Sequence, residues 1–148
     1  MDFKYTLIGD GDEKERLLFA AYQLGIKENV KFAGKLPHSE VKKHLEQAAI
    51  YLQYSIQEGF CNAVLEAQAM GLLCIVSDAE GLSENVLDKQ TGWVVEKRKP
   101  ALLAEKIKDV MLLSTSEKQK IKTNAIRRVQ QEFNLAKQQL EFINFYSS

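Results

Sequence analysis

Cysteine is scarce in this chain: two in 148 residues, Cys61 and Cys74, with no CxxC spacing and apolar neighbours. That argues against a disulfide scaffold and for a reducing compartment. Excess charge is absent as well. Twenty Lys+Arg balance twenty Asp+Glu, whereas a general nucleic-acid binder carries a basic surplus, so none is expected as a partner. The longest basic cluster, Lys97-Arg98-Lys99 beside Pro100, reads as a solvated loop. No stretch is long and apolar enough to span a membrane. The start, Met1-Asp2-Phe3, lacks the basic and apolar regions of a signal peptide. His38 and His44 fit no common zinc spacing and read as surface residues. Internal repeats and low-complexity segments are missing too. The simplest reading is a soluble cytoplasmic protein, residues 1–148 forming one domain with a real core.

What is present is an alternation of strands and helices. Phe3 to Ile8 is a β-type run that meets the turn Gly9-Asp10-Gly11. Glu13 to Leu24 places Leu17, Leu18, Ala21 and Leu24 on one helical face, and Gly25 stands where a helix ends. Val30 to Ala33 is a short strand. Ser39 is the expected cap of a helix over Glu40 to Gln47 that buries Val41, Leu45 and Ala48. Ala49 to Tyr54 is the next strand. Leu72 to Val76 is a nearly unbroken apolar run, suited to a strand buried on both faces of a parallel sheet. A loop over Ser77 to Gly81, a helical turn over Ser83 to Val86 and a short strand over Gly92 to Val95 follow. Pro100 opens a helix with Leu102, Leu103, Ile107, Val110 and Met111 inward. From about residue 116 to 148 the pattern is a helical tail: Glu117 to Glu132, then Leu135 to Tyr146. The fold class is therefore α/β, an open, mostly parallel sheet, whose ligands bind beyond the carboxyl ends of the strands.

The chain is organised around Tyr54 to Met70, YSIQEGFCNAVLEAQAM. A strand ends, a loop carries Glu58 and Gly59, and a helix starts near Cys61 or Asn62 and carries Glu66. The first amides of a helix lack partners inside it and sit at the positive end of its dipole, so this turn is suited to hold a phosphate. Cys61 reads as a packed small residue rather than a nucleophile, and Trp93 as packing rather than a sugar platform.

Five ordered segments resemble one family. Glu58-Gly59-Phe60 followed by Glu66 resembles the signature of retaining glycosyltransferases with the GT-B fold, the group 1, glycogen-synthase-like enzymes. Leu7-Ile8-Gly9-Asp10-Gly11 resembles their LxGxG turn, Val30 to Gly34 their VxFxG strand, Ser77 to Glu84 their TxxGGxxE loop and Thr91 to Val95 their G-x-L-V strand. The resemblance implies a Rossmann-like sheet with helices on both faces, the C-terminal, donor-binding domain of two. It implies that an N-terminal acceptor domain is missing here, together with the first strand of this domain and its basic pair, so that the fragment alone is inactive.

The same resemblance implies roles. Glu58 would be the catalytic carboxylate, against the donor sugar and its leaving phosphate. Glu66 would bind the ribose hydroxyls. Gly59, Phe60, Cys61, Asn62 and Ala63 would meet sugar hydroxyls and phosphate, with Gly9 in the donor turn and Leu36 and Pro37 against the base. The substrate is a nucleoside-diphosphate sugar. No DxD-like pair is evident, so neither metal nor other cofactor is expected. Glu80 departs from the pattern by replacing the first glycine of the GG pair, while Gly81 keeps the second. The apolar end around Leu140, Phe142, Ile143, Phe145 and Tyr146 is expected to drive homodimerisation through the last helix. A sugar-nucleotide epimerase half and a non-enzymatic α/β module are the alternatives. The strand ending in Tyr54-Ser55 lacks the phosphoacceptor Asp that a receiver module needs.

Overall fold

A computed structural model describes residues 3–134. The expected helix over Leu135 to Tyr146 and its apolar end lie outside the described residues. The chain divides between Glu46 and Gln47 into two compact units, and each is described by itself.

In the first unit, β1 (Tyr5–Ile8) pairs in parallel with β2 (Val30–Gly34). Parallel neighbours need a crossover, here α1 (Lys14–Gln23) and a 3-10 turn over Lys27–Asn29. The register shifts between Leu7 and Ile8, and the Gly9 amide donates to the Gly34 carbonyl at 2.9 Å. Gly25 ends α1 as expected. It is left-handed at φ +67, and the amides of Gly25 and Ile26 donate to Tyr22 and Ala21 carbonyls, the Schellman pattern. The expected buried face of α1 is not buried. Only Ala21 is; Leu17 and Leu18 are exposed and Leu24 is 71% exposed. Periodicity says which side chains share a face, and a two-stranded sheet has too little apolar surface to cover this one.

Helix α2 (His38–Gln47) starts earlier than expected. The Pro37 carbonyl accepts from the amides of Glu40 and Val41, so Pro37 holds the capping position and Ser39 lies within the first turn. Leu45 is buried, Val41 and His44 are half-buried, and Ala48 is exposed.

In the second unit, β3 (Ile50–Gln53), β4 (Leu73–Ser77) and β5 (Trp93–Val95) form a parallel sheet in that order. Their crossovers are α3 (Asn62–Ala69) and α4 (Glu80–Asn85). All five residues of the central strand β4 are buried, which is why it reads as a continuous apolar run. Leu73, Ile75, Trp93 and Val95 pack with Val110 of α5 (Pro100–Leu112) and Ile121 of α6 (Thr115–Glu132). Each large apolar side chain buried this way contributes about 1.5–3 kcal/mol. Trp93 is thus core, as read from the sequence. Leu102 is exposed rather than inward, because α5 turns one face to the sheet and Leu103, Ile107 and Val110 fill it.

Helix α6 begins at Thr115 under a capping box. The Ser114 hydroxyl accepts from the Glu117 amide, and the Glu117 carboxylate accepts from the Ser114 amide at 2.9 Å. Among the described residues no helix is long and apolar enough to cross a membrane.

Candidate functional site

The second unit places the turn over residues 54–61 at the carboxyl ends of β3 and β4. Cys61 precedes α3 in extended backbone conformation, and its side chain makes no capping bond. The first-turn amides of Asn62 and Ala63 therefore face outward without an acceptor inside the helix. The Cys61 amide differs. It donates to Asn85 Oδ1 at 3.0 Å, so this member of the expected donor set is already used within the chain.

Glu58 is half-buried and oriented. Its Oε2 accepts from Ser55 Oγ at 3.0 Å and from Gln53 Nε2 at 3.1 Å. Gln53 Nε2 also donates to Ser55 Oγ at 3.1 Å, and Gln53 Oε1 accepts from the Tyr51 hydroxyl at 2.9 Å. The main chain of this loop is tied to β4 by Ser77 Oγ, which donates to the Ser55 carbonyl at 2.5 Å. A carboxylate held through one oxygen by two donors keeps one direction.

Glu66 is half-buried on α3, one helical turn beyond the amino end of the helix. Both glutamates act on Tyr51. Burial is the main cause that pushes its phenol well above the ordinary value, and the charges of Cys61, Cys74, Glu66 and Glu58 add to it. Tyr51 is thereby held neutral, as a hydrogen-bond donor to Gln53 Oε1. Burial likewise pushes the Cys74 thiol up to about 12, which makes it inert.

Helix α4 starts at Glu80, so Gly81 is helical rather than part of a loop. The Gly81 amide donates to the Glu58 carbonyl at 3.1 Å. A Cβ on Gly81 would stand 2.1 Å from the Gly59 oxygen and 2.7 Å from the Phe60 nitrogen. The absence of a side chain lets α4 and the turn meet backbone to backbone. Glu80 is exposed on the first turn of α4.

Beyond β5, the Lys97 amide donates to Asp78 Oδ1 at 2.7 Å and the Lys99 amide to the Tyr54 hydroxyl at 2.9 Å. These bonds fix the backbone of the basic cluster. The side chains of Arg98 and Lys99 are exposed and that of Lys97 is half-buried. A cavity of about 290 Å³ bordered by Ile50, Leu73, Val110 and Lys118 lies at the amino ends of β3 and β4, away from the turn. In the first unit, Gly9, Leu36 and Pro37 stand at the carboxyl ends of β1 and β2, Leu36 half-buried and Pro37 exposed. Among the described residues, no three His, Cys, Asp or Glu cluster as a metal site.

Sequence reasoning missed Tyr51, Gln53, Ser55 and Asn85. One signal was available: Gln53 is a polar residue closing an otherwise apolar strand. Nothing local marks Asn85, whose bond to Cys61 crosses 24 positions.

The sequence profile of the family "Glycosyl transferases group 1" matches residues 1–128. The putative colanic acid biosynthesis glycosyltransferase WcaL of Escherichia coli is 28% identical over 138 residues, covering 89% of this chain and 34% of its own length. The chain thus spans about a third of that relative. The C-terminal domain of the group 1 glycosyl transferase LpcC from Francisella tularensis superposes with a TM-score of 0.73 at 25% identity, over 84% of this chain and 64% of that one. Anabaena HepE, solved with UDP, superposes with a TM-score of 0.88 at 21% identity, over 98% of this chain and 41% of that one. That likeness concerns the fold.

Proposed function

This chain belongs to the group 1 glycosyl transferases, and we propose that it is the donor-binding domain of a retaining enzyme. The whole enzyme would move a hexosyl group from a nucleoside-diphosphate sugar to an acceptor hydroxyl in glycan or polysaccharide biosynthesis, in the cytoplasm. The observation that carries this reading is the oriented Glu58 beside the open first turn of α3, with Glu66 one turn further on.

In this reading the diphosphate lies at the amino end of α3. The amides of Asn62 and Ala63, with that of Phe60, stabilise charge as it develops on the leaving group. Glu66 accepts from the two ribose hydroxyls, which suits a carboxylate with two oxygens. Glu58 lies against the donor sugar, its other oxygen held by Ser55 and Gln53. Gly59 allows the close approach. The charge of the leaving group is met by amides and by a basic pair from a preceding strand, so transfer needs no metal. The acceptor domain completes the site, and the chain alone does not catalyse transfer. Its apolar end, outside the described residues, supports self-association.

Titration calorimetry tests the reading. UDP and GDP, free and as their glucose and mannose conjugates, are titrated into the wild-type chain and Glu66→Ala. Binding that weakens in the variant supports it; no binding of any of them overturns it. For the whole enzyme, NMR of the product reads whether the new glycosidic bond keeps the donor's anomeric configuration.

A further inference from the structure

Asn85 closes α4 and is fully buried, yet it is polar. Its Oδ1 accepts from the Cys61 amide at 3.0 Å. An amide nitrogen can only donate, so this bond decides which end of the Asn85 side chain faces the turn. The other end, Nδ2, has no partner among the described residues, and neither has Oε1 of the fully buried Gln68. A buried polar atom without a partner costs stability, and an apolar side chain of this size would avoid the cost. An apolar side chain would, however, leave the Cys61 amide without its acceptor, so what asparagine supplies here is one directed contact toward the turn.

Asn85 is itself held from two sides. Gln68 Nε2 of α3 donates to the Asn85 carbonyl at 2.9 Å. From α6, Arg128 Nη1 donates to the same carbonyl and Nη2 to the Glu84 carbonyl, both at 2.8 Å. The guanidinium fork thus satisfies carbonyls at the end of α4 that the helix leaves open. Glu132 Oε2 accepts from Arg128 Nε at 2.7 Å and fixes the third nitrogen. The same guanidinium lies 5.0 Å over the Phe133 ring, and Phe133 packs against Phe60 of the turn at 5.5 Å between ring centres. Two lines of contact therefore run from Arg128 to consecutive residues, Phe60 and Cys61.

We propose that Asn85 is a positioning residue for the donor site, setting where α3 presents its open amides, and that Arg128 acts through it. The inference rests on the donor-binding reading above for its effect on ligand. Its structural half does not.

The test measures two quantities on the full chain: hydrogen exchange of the Cys61 amide by NMR without ligand, and the Kd for UDP by calorimetry. Asn85→Ala is expected to speed exchange at Cys61 at least tenfold and to weaken UDP about tenfold. Arg128→Lys, which cannot fork to two carbonyls, is expected to move both in the same direction by about threefold. Val110→Ala, a core variant remote from the turn, lowers the melting temperature and leaves both unchanged. The proposal is overturned if Asn85→Ala changes Cys61 exchange and UDP affinity no more than Val110→Ala does. Should Asn85→Ala fail to fold, Arg128→Lys decides by the same criterion. If the wild type does not bind UDP, the donor-binding reading loses UDP as its ligand, and Cys61 exchange in the variants alone decides the positioning role.

Discussion

The amide of Gly81 donates to the carbonyl of Glu58 at 3.1 Å. This bond places the start of α4 directly on the backbone of the carboxylate-bearing loop. Gly81→Ala would drive a Cβ to within 2.1 Å of the Gly59 oxygen. Something must move, and overpacking of this kind costs roughly 1–3 kcal/mol. Urea denaturation should show that loss, and UDP affinity should fall with it, because the displaced segment is the turn itself. Full stability with full affinity would show that the loop yields freely.

The two glutamates should separate by ligand. Glu66→Ala is expected to weaken UDP and UDP-glucose alike, by roughly tenfold or more, since hydrogen bonds to a charged group contribute about 1.5–3 kcal/mol. Glu58→Ala is expected to spare UDP and weaken only the sugar conjugate. Calorimetry of four combinations reads this out. Equal losses for both ligands in both variants would contradict the division of roles.

The thiols should differ in reactivity. Cys74 is buried and its pKa is pushed up to about 12, whereas Cys61 is half-buried at the start of α3. A disulfide reagent at pH 8 should modify Cys61 alone in the native chain and both cysteines in guanidinium. Modification of Cys74 at the native rate of Cys61 would mean that β4 opens readily.

The capping box of α6 gives a pH dependence. Hydrogen bonds from the Ser114 hydroxyl, then from its amide, hold the Glu117 carboxyl below its ordinary pKa. A lowered value in the folded state means that the contribution is complete above glutamate's ordinary pKa and fades as pH falls through the lowered one. Ser114→Ala should cost about 1 kcal/mol at neutral pH. The difference between variant and wild type should narrow on acidification, as thermal melts from pH 7 to pH 3 would show. A constant difference would exclude the carboxylate's part.

Much of the second unit is legible in the sequence because its signals are local. Four buried apolar residues in a row, Leu73 to Val76, make β4 an apolar run, and the break between Tyr54 and Cys61 announces a turn before α3. The start of α4 is less visible. Six residues carry almost no periodicity, and Gly81 reads as a breaker although its role is to let two backbones touch. The bonds that orient Glu58 are hidden for another reason: Gln53 and Ser55 are ordinary polar residues at a strand end until the fold points them inward. Leu17, Leu18 and Leu24 mark the opposite failure, a well-formed apolar face that the first unit does not cover.

Among the described residues every strand pairing is parallel and no two strands are joined by a tight hairpin, so Ile50 meets Leu73 only after the whole of α3 has been laid between them. The cost of closing such loops comes before the contacts that reward it, so folding is expected to be slow relative to its size. Because the turn that carries Glu58 lies inside one of these crossovers, it cannot take shape ahead of the sheet. In refolding experiments, recovery of UDP binding should lag behind helix formation and coincide with burial of Trp93.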